Sequence, residues 1–229
     1  MIALITSTLV PETYSFFPPE ERYQQTLATL KSLEKINFDK IYLLDNSTKP
    51  INDQKFKFKP DDKLIVFQTL QYAFKNKGLN EALLLLNHLS HISENGPILK
   101  ISGRYKLSEQ FNVDILLNKL GKNEILGVGA IKSGKNDYFN TRCYLVKDKK
   151  TLEEILVLAI EEMIAYGRGI NGIRSLTSMF RPKLGTPFQL SLEHAFARVL
   201  QSRQNYMLIE KINIEGFIAG SEDLNFISE

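Results

Sequence analysis

The chain has no tryptophan, one cysteine and three histidines among its 229 residues. A single thiol excludes an intrachain disulfide and a cysteine-based metal site, and it suits a reducing compartment; Cys143 reads as a small packed residue. His88 and His91 stand at i, i+3 on one helical segment and His194 lies far along the chain, which makes a poor metal set. Charge of one sign is also scarce. A formal net charge of +3 without any basic tract offers little to nucleic acid or to an anionic membrane surface. No apolar run reaches the ~20 residues that span a bilayer. The start, "MIALITSTLVP", lacks the basic and long apolar regions of a signal peptide, so a cytoplasmic chain is expected. GxxxxGK[ST] and GxGxxG are absent, which argues against a P-loop NTPase and an ordinary dinucleotide enzyme, and HExxH, CxxC and GxSxG are absent as well.

What is present suits a soluble globular domain, with 43% hydrophobic and 24% charged residues and enough length for one α/β core. "IALITSTLV" (2–10) is a continuous apolar, β-branched run of the kind buried on both faces of a parallel sheet. "KIYLLDN" (40–46), "KLIVFQT" (63–69) and "PILKIS" (97–102) repeat that signal. Helices are expected over 20–35, with Leu27, Leu30, Leu33 and Ile36 inside, and over 76–91, with Leu79, Ala82, Leu83, Leu86 and Leu89 inside. "EILGVGAIK" (124–132) and "TRCYLVK" (141–147) can pair as antiparallel strands. "TLEEILVLAIEEMIAYG" (151–167) predicts a helix with a Thr151/Glu154 capping box and a stop at Gly167. Residues 167–187 read as a mobile basic loop, 191–202 as an amphipathic helix, and 206–217 as one last strand before an acidic tail. Alternation in the first half and a strand-rich second half predict an α/β/α sandwich on a mixed, mostly parallel sheet.

Ligands of such sheets sit at the carboxyl ends of the strands. The polar residues there are Thr6, Ser7 and Thr8, then Asp45 to Thr48, then Lys77 with Gly78 at a helix start, then Lys100 to Tyr105. An acid at a strand end accepts from a ribose hydroxyl, and a helix start with cations suits a diphosphate. Two readings stand for each. Asp45 either meets a nucleotide or caps a turn. Lys77 binds an anion or is a solvated lysine. Lys100, inside an apolar strand, must find an anion or snorkel out. Arg104 faces a ligand or pairs with Asp114 or Glu109.

This order of elements resembles the GT-A glycosyltransferases, whose architecture is that of nucleotide-diphosphosugar transferases. The likeness rests on "LLDNST", "NKGLNEA" and "KISGRY", the last similar to the K-[IL]-[ST]-GRY stretch of bacterial and viral polysaccharide glycosyltransferases. It implies a three-layer GT-A sandwich in one domain, 1–229, with a nucleotide-binding half (1–107) and an acceptor-side half (108–229). It also implies that Thr6, Ser7, Thr8, Asp45 and Lys77 hold the nucleotide. Lys100, Gly103, Arg104 and Tyr105 would then hold the diphosphate, with Gly103 letting the backbone approach it. Where relatives keep an Asp-x-Asp pair for Mn²⁺ or Mg²⁺, this chain has no acid between Asn95 and Glu109. Its lysine and arginine can supply part of the ion's charge, and a metal held by other groups stays open.

The resemblance further matches Glu193, in "SLEHAFARVL", to the base that deprotonates an acceptor hydroxyl; the plain alternative is a first-turn glutamate answering the helix dipole. Arg168, Arg174 and Arg181 would close over the donor or stay solvated. The expected function is transfer of a sugar from a nucleotide-diphosphosugar, with UDP-sugar the first choice, to a carbohydrate or other hydroxyl acceptor in polysaccharide or glycoconjugate synthesis. A sugar-nucleotidyltransferase and a non-catalytic sugar-nucleotide sensor are the alternatives.

Overall fold

The computed structural model describes residues 1–229 apart from 12–16, 52–55, 57–62, 71, 73, 75, 133, 135, 170–189 and 218–225. The basic loop read over 167–187, with Arg174 and Arg181, therefore lies almost wholly outside the described residues. The side chain of Arg168 does too.

The apolar, β-branched runs form strands at the core of a seven-stranded sheet: β1 (Ile2–Ser7), β2 (Ile41–Asp45), β3 (Leu64–Gln68) and β4 (Ile98–Ser102). These four pair in parallel, in the order β3-β2-β1-β4. β7 (Tyr138–Val146) then adds antiparallel to β4, followed by β6 (Ile125–Ala130) and β8 (Tyr206–Ile209). The sheet is mixed and mostly parallel, as expected. The chain enters at β1, builds outward to β3, and returns to the other side of β1 with β4. That reversal opens a crevice at the carboxyl ends of β1 and β4.

Helices cover both faces. α2 (Lys77–Leu89), α4 (Lys149–Gly169) and α5 (Leu192–Arg203) pack on one side, where Leu85, Leu156 and Phe196 meet Leu4, Tyr42 and Ile98. α1 (Pro19–Leu33) and α3 (Val113–Leu120) cover the other, where Leu30 and Leu116 meet Ile5, Leu43 and Ile101. Odd and even residues of each inner strand thus feed two separate cores. The proline at the start of α1 suits that position, because its missing N–H has no partner in a first turn. Among the described residues, no helix is long and apolar enough to cross a membrane.

Three local expectations need correction. The run 206–217 is two strands: Asn213, at φ 62°, turns the chain out of the large sheet. β9 (Ile214–Phe217) therefore joins a small sheet with β5 (Tyr105–Leu107) and β10 (Phe226–Ser228). The start of α4 is capped by Asp148, whose Oδ1 accepts from the Thr151 N–H at 2.8 Å, while Glu154 reaches across to Arg203 at 2.9 Å; no Thr151/Glu154 box forms, and the helix runs past Gly167. Finally, α3 and β5 occupy a stretch the periodicity left unassigned. α3 has its own cap, Asn112 Oδ1 accepting from Ile115 N–H at 3.1 Å, and stops at Gly121, where φ is 50°.

Candidate functional site

The crevice is built by three helix starts and two strand ends. At the end of β4, the Gly103 N–H donates to Thr6 O at 2.8 Å and its carbonyl accepts from Thr26 Oγ1 of α1 at 3.0 Å. A Cβ at Gly103 would lie 3.1 Å from that hydroxyl and 3.3 Å from Thr6 O. The glycine therefore fits the turn between β1 and α1, a protein-to-protein contact. α1 also receives β5, through Thr29 Oγ1 donating to Tyr105 O at 2.8 Å and Leu107 N–H donating to Ser32 Oγ at 3.0 Å. Arg104 is held in between, its guanidinium carbon 5.9 Å from the centre of the Tyr105 ring.

The starts of α2 and α5 meet face to face. Asn76 caps α2, its Oδ1 accepting from Leu79 N–H at 3.1 Å, while its Nδ2 donates to Leu190 O at 3.0 Å just before α5. Ser191 caps α5 and binds the His194 ring at 2.7 Å, so His194 serves the cap. Gly78 permits the approach: a Cβ there would stand 2.7 Å from Leu192 Cβ.

Between these elements lies a cavity of about 440 Å³. Of the residues read from the sequence, Thr6, Ser7, Thr8, Lys77, Gly103, Arg104 and Glu193 line it. Asn46, from the stretch Asp45 to Thr48, lines it as well, and so do Arg22 of α1 and Glu81 of α2, neither of which the sequence singled out. Arg22, Lys77 and Arg104 come from three different elements and crowd their charges together. Burial, then the charge of Arg104, pushes the Arg22 guanidinium down to about 10, with Asp45 pulling the other way. Burial, Arg104 and Arg22 likewise hold Lys77 below the usual lysine range. Arg104 makes no salt bridge among the described residues, with Asp114 and Glu109 included, and its Nη1 is buried without a hydrogen-bond partner. Such a cluster favours an anionic ligand.

Two carboxylates share the cavity. Glu193, in the first turn of α5, accepts from Thr141 Oγ1 at 3.1 Å. Glu81 accepts from Thr6 Oγ1 at 2.9 Å and pairs with Lys100. Thr141 links the two, because its carbonyl accepts from Lys100 Nζ.

The geometry brings three residues elsewhere than expected. Lys100, 1% exposed, lies behind the cavity wall: it shares the Ile98 face of β4, which looks toward α2, and spends its charge on Glu81, Thr141 O and the Tyr144 ring. Asp45 is fully buried, accepting from Ser7 Oγ at 2.8 Å, Leu9 N–H at 3.0 Å and Ser47 N–H at 2.8 Å; it organises the turn of which the rim is made. Tyr105 is 2% exposed and carries Arg104 on one side and Arg142 on another, 5.8 Å from its ring centre. None of the three lines the cavity. His88 stacks on Phe67 at 5.1 Å and meets Thr69 Oγ1 at 2.7 Å, a packed core histidine.

The described residues offer little to a divalent ion. No three or more His, Cys, Asp or Glu side chains gather to hold a metal among the described residues. The end of β4, where the resemblance implies carboxylates, presents Ser102, Gly103 and Arg104.

No protein-family model matches the chain, and no curated protein matches it in sequence. Among solved structures, the galactosyltransferase LgtC in complex with donor and acceptor sugar analogs superposes with a TM-score of 0.52 at 9% identity, over 91% of this chain and 73% of LgtC. An active-site mutant of LgtC gives the same score and identity, over 91% and 72%. HddC from Yersinia pseudotuberculosis, complexed with GMP-PN, superposes with a TM-score of 0.46 at 13% identity, over 67% of this chain and 79% of HddC, a likeness too distant to argue from. At these identities the comparison speaks for the fold, and it bears out the three-layer GT-A-like sandwich.

Proposed function

We propose that the chain is a glycosyltransferase that moves a sugar from a nucleotide-diphosphosugar, with a UDP-sugar as the expected donor, to a hydroxyl acceptor in polysaccharide or glycoconjugate synthesis. The observation that carries this reading is that Arg22, Lys77 and Arg104 converge on one cavity that also presents Glu193. The fold shared with LgtC supports it.

In this reading the rim made by Thr6, Ser7, Thr8 and Asn46 receives the nucleoside, and Asp45 keeps that rim in shape. Arg104, Arg22 and Lys77 bind the diphosphate, each contact a charge-assisted hydrogen bond worth about 1.5–3 kcal/mol. The acceptor hydroxyl enters beside Glu193, which takes its proton as the oxygen attacks the anomeric carbon. The bond from that carbon to the diphosphate breaks, and the nucleoside diphosphate leaves with the electron pair. Thr141 fixes one Glu193 oxygen so that the other is free for the proton.

A thermal-shift and hydrolysis screen of nucleotide sugars tests the class of donor. Arg104→Ala is expected to abolish donor binding and transfer while leaving the thermal midpoint near that of the wild type; a fully active Arg104→Ala enzyme refutes the diphosphate assignment. Glu193→Gln should keep donor binding and lose about 10²–10⁴ in turnover. Unchanged turnover in that variant makes another group the base, and a wild type that binds nucleotide sugars without ever turning them over is a sensor.

A further inference from the structure

We infer that this site holds its diphosphate with side-chain cations, Arg22, Lys77 and Arg104 among the described residues, and with no divalent ion between phosphate and protein. The inference rests on the diphosphate site proposed above and concerns what that site uses as its counter-charge.

Three observations carry it. The first is the nature of the wall. In the crevice beside β1, the end of β4 offers a hydroxyl, a glycine and a guanidinium, with two further cations supplied by α1 and α2. Arg104 already acts on both of its neighbours unfavourably, since its charge makes each of them harder to protonate. A divalent cation placed among the three would add to that repulsion, whereas an anion relieves it.

The second is the state of the carboxylates. A hard cation wants oxygen ligands, typically one or two carboxylates in addition to phosphate oxygens. Glu81 is committed to the buried ammonium of Lys100 and to the Thr6 hydroxyl, so an ion bound to Glu81 would sit against a fixed positive charge. Among the described residues Glu193 is the remaining carboxylate on the cavity, and it accepts from the Thr141 hydroxyl.

The third is the unspent donor on Arg104. Its Nη1 is buried and has no partner, while the Tyr105 ring supports the guanidinium by a cation–π contact. A planar fork held on an aromatic face, with a free N–H, is ready for two phosphate oxygens. When the bond from the sugar to the diphosphate breaks, the leaving oxygen gains a full negative charge. The arginine fork meets it there, in the role a Lewis acid would otherwise fill.

Isothermal titration of the EDTA-treated protein with UDP, GDP, ADP and CDP, repeated with saturating Mg²⁺ or Mn²⁺, tests the inference without relying on turnover. At least one nucleoside diphosphate should bind in EDTA, with an affinity that either metal changes by less than about threefold. Arg104→Lys, which keeps the charge and loses the fork, and Arg22→Gln should each weaken that metal-free binding by roughly ten- to a hundredfold. Binding that needs metal, or that metal tightens by about tenfold or more, overturns the metal-free clamp and leaves the diphosphate site standing. If no nucleoside diphosphate binds with or without metal, the proposed function falls and the clamp falls with it.

Discussion

Replacing Glu81 by Gln should unfold this protein at a markedly lower temperature, and replacing its partner Lys100 should do so less. The Lys100 side chain is 1% exposed and that of Glu81 is 25% exposed, so the two partners have unequal access to water. Without the carboxylate charge, the ammonium keeps the Thr141 carbonyl, the Tyr144 ring and a neutral amide oxygen. Orphaning a buried charge in this way costs about 3–5 kcal/mol. For a chain of this length each kcal/mol moves the midpoint by roughly 2–4 °C, which gives a fall of about 6–20 °C. Lys100→Met leaves a carboxylate that can turn to solvent and still holds Thr6 at 2.9 Å, for about 1–2 kcal/mol. The double variant Glu81→Leu with Lys100→Met removes both charges and should recover much of the loss. Thermal and urea melts of the three variants at neutral pH measure this. A shift under about 2 °C for Glu81→Gln, or a larger loss for Lys100→Met, would refute the buried pair and return Lys100 to the candidates for ligand binding.

Gly78→Ala forces a methyl to within 2.7 Å of Leu192 Cβ and 3.0 Å of Leu192 N, neither of which is a flexible tip; the starts of α2 and α5 must part, at about 1–3 kcal/mol, and an unchanged or raised melting midpoint would contradict this packing. Lys77→Met should raise the midpoint at neutral pH while weakening nucleotide binding. Its lowered pKa means the unfolded chain binds that proton more tightly, so the cost is present at neutral pH and fades as pH rises toward 10.5; a midpoint lowered by more than about 2 °C counts against the cation cluster. Burial pushes the Cys143 thiol up to about 12, against a small pull from Lys100, so it should resist a disulfide reagent at mildly alkaline pH until the chain is denatured. The same shift takes stability away as pH climbs from 9 to about 12, and rapid labelling of the native protein would show the pocket to be open.

The parallel strands were legible because each is a run of apolar, β-branched residues with no polar face, and only a strand covered on both sides tolerates that. What stayed hidden depended on partners distant in sequence. The stretch 206–217 looks like one strand until Asn213 takes a positive φ and sends its second half to β5, a pairing no local pattern announces. Lys100 was correctly marked as a cation in need of an anion, yet its partner turned out to be Glu81. Strand alternation contains the missing step, since Lys100 shares the Ile98 face that looks toward α2, and α2 carries Glu81 one turn from its start. Asp45 showed only that an acid precedes a turn. Which way it faces is decided by Ser7, Leu9 and Ser47, all of which donate to it. Arg22 left one faint mark, a cation in the opening turns of a helix, where the dipole disfavours positive charge.

That unfavourable placement is itself informative about the site. Arg22 sits near the positive end of α1, Lys77 opens α2 with a second such end, and Arg104 is turned inward beside both. Each choice opposes the stability of the empty fold: the helix dipoles repel the first two cations, the three repel one another, and one buried N–H of Arg104 is left unmatched. Lys100, by contrast, lies behind the cavity wall and is matched by Glu81, whose carboxylate stands on that wall. α1 does carry acids in its first turn, Glu20 and Glu21, but Arg22 follows them, and α2 opens on Lys77 with no acid in its first turn. The conflict is resolved by a bound anion of more than one charge, which can meet the two helix ends and the guanidinium at once, and a diphosphate is the smallest common biological group with that reach.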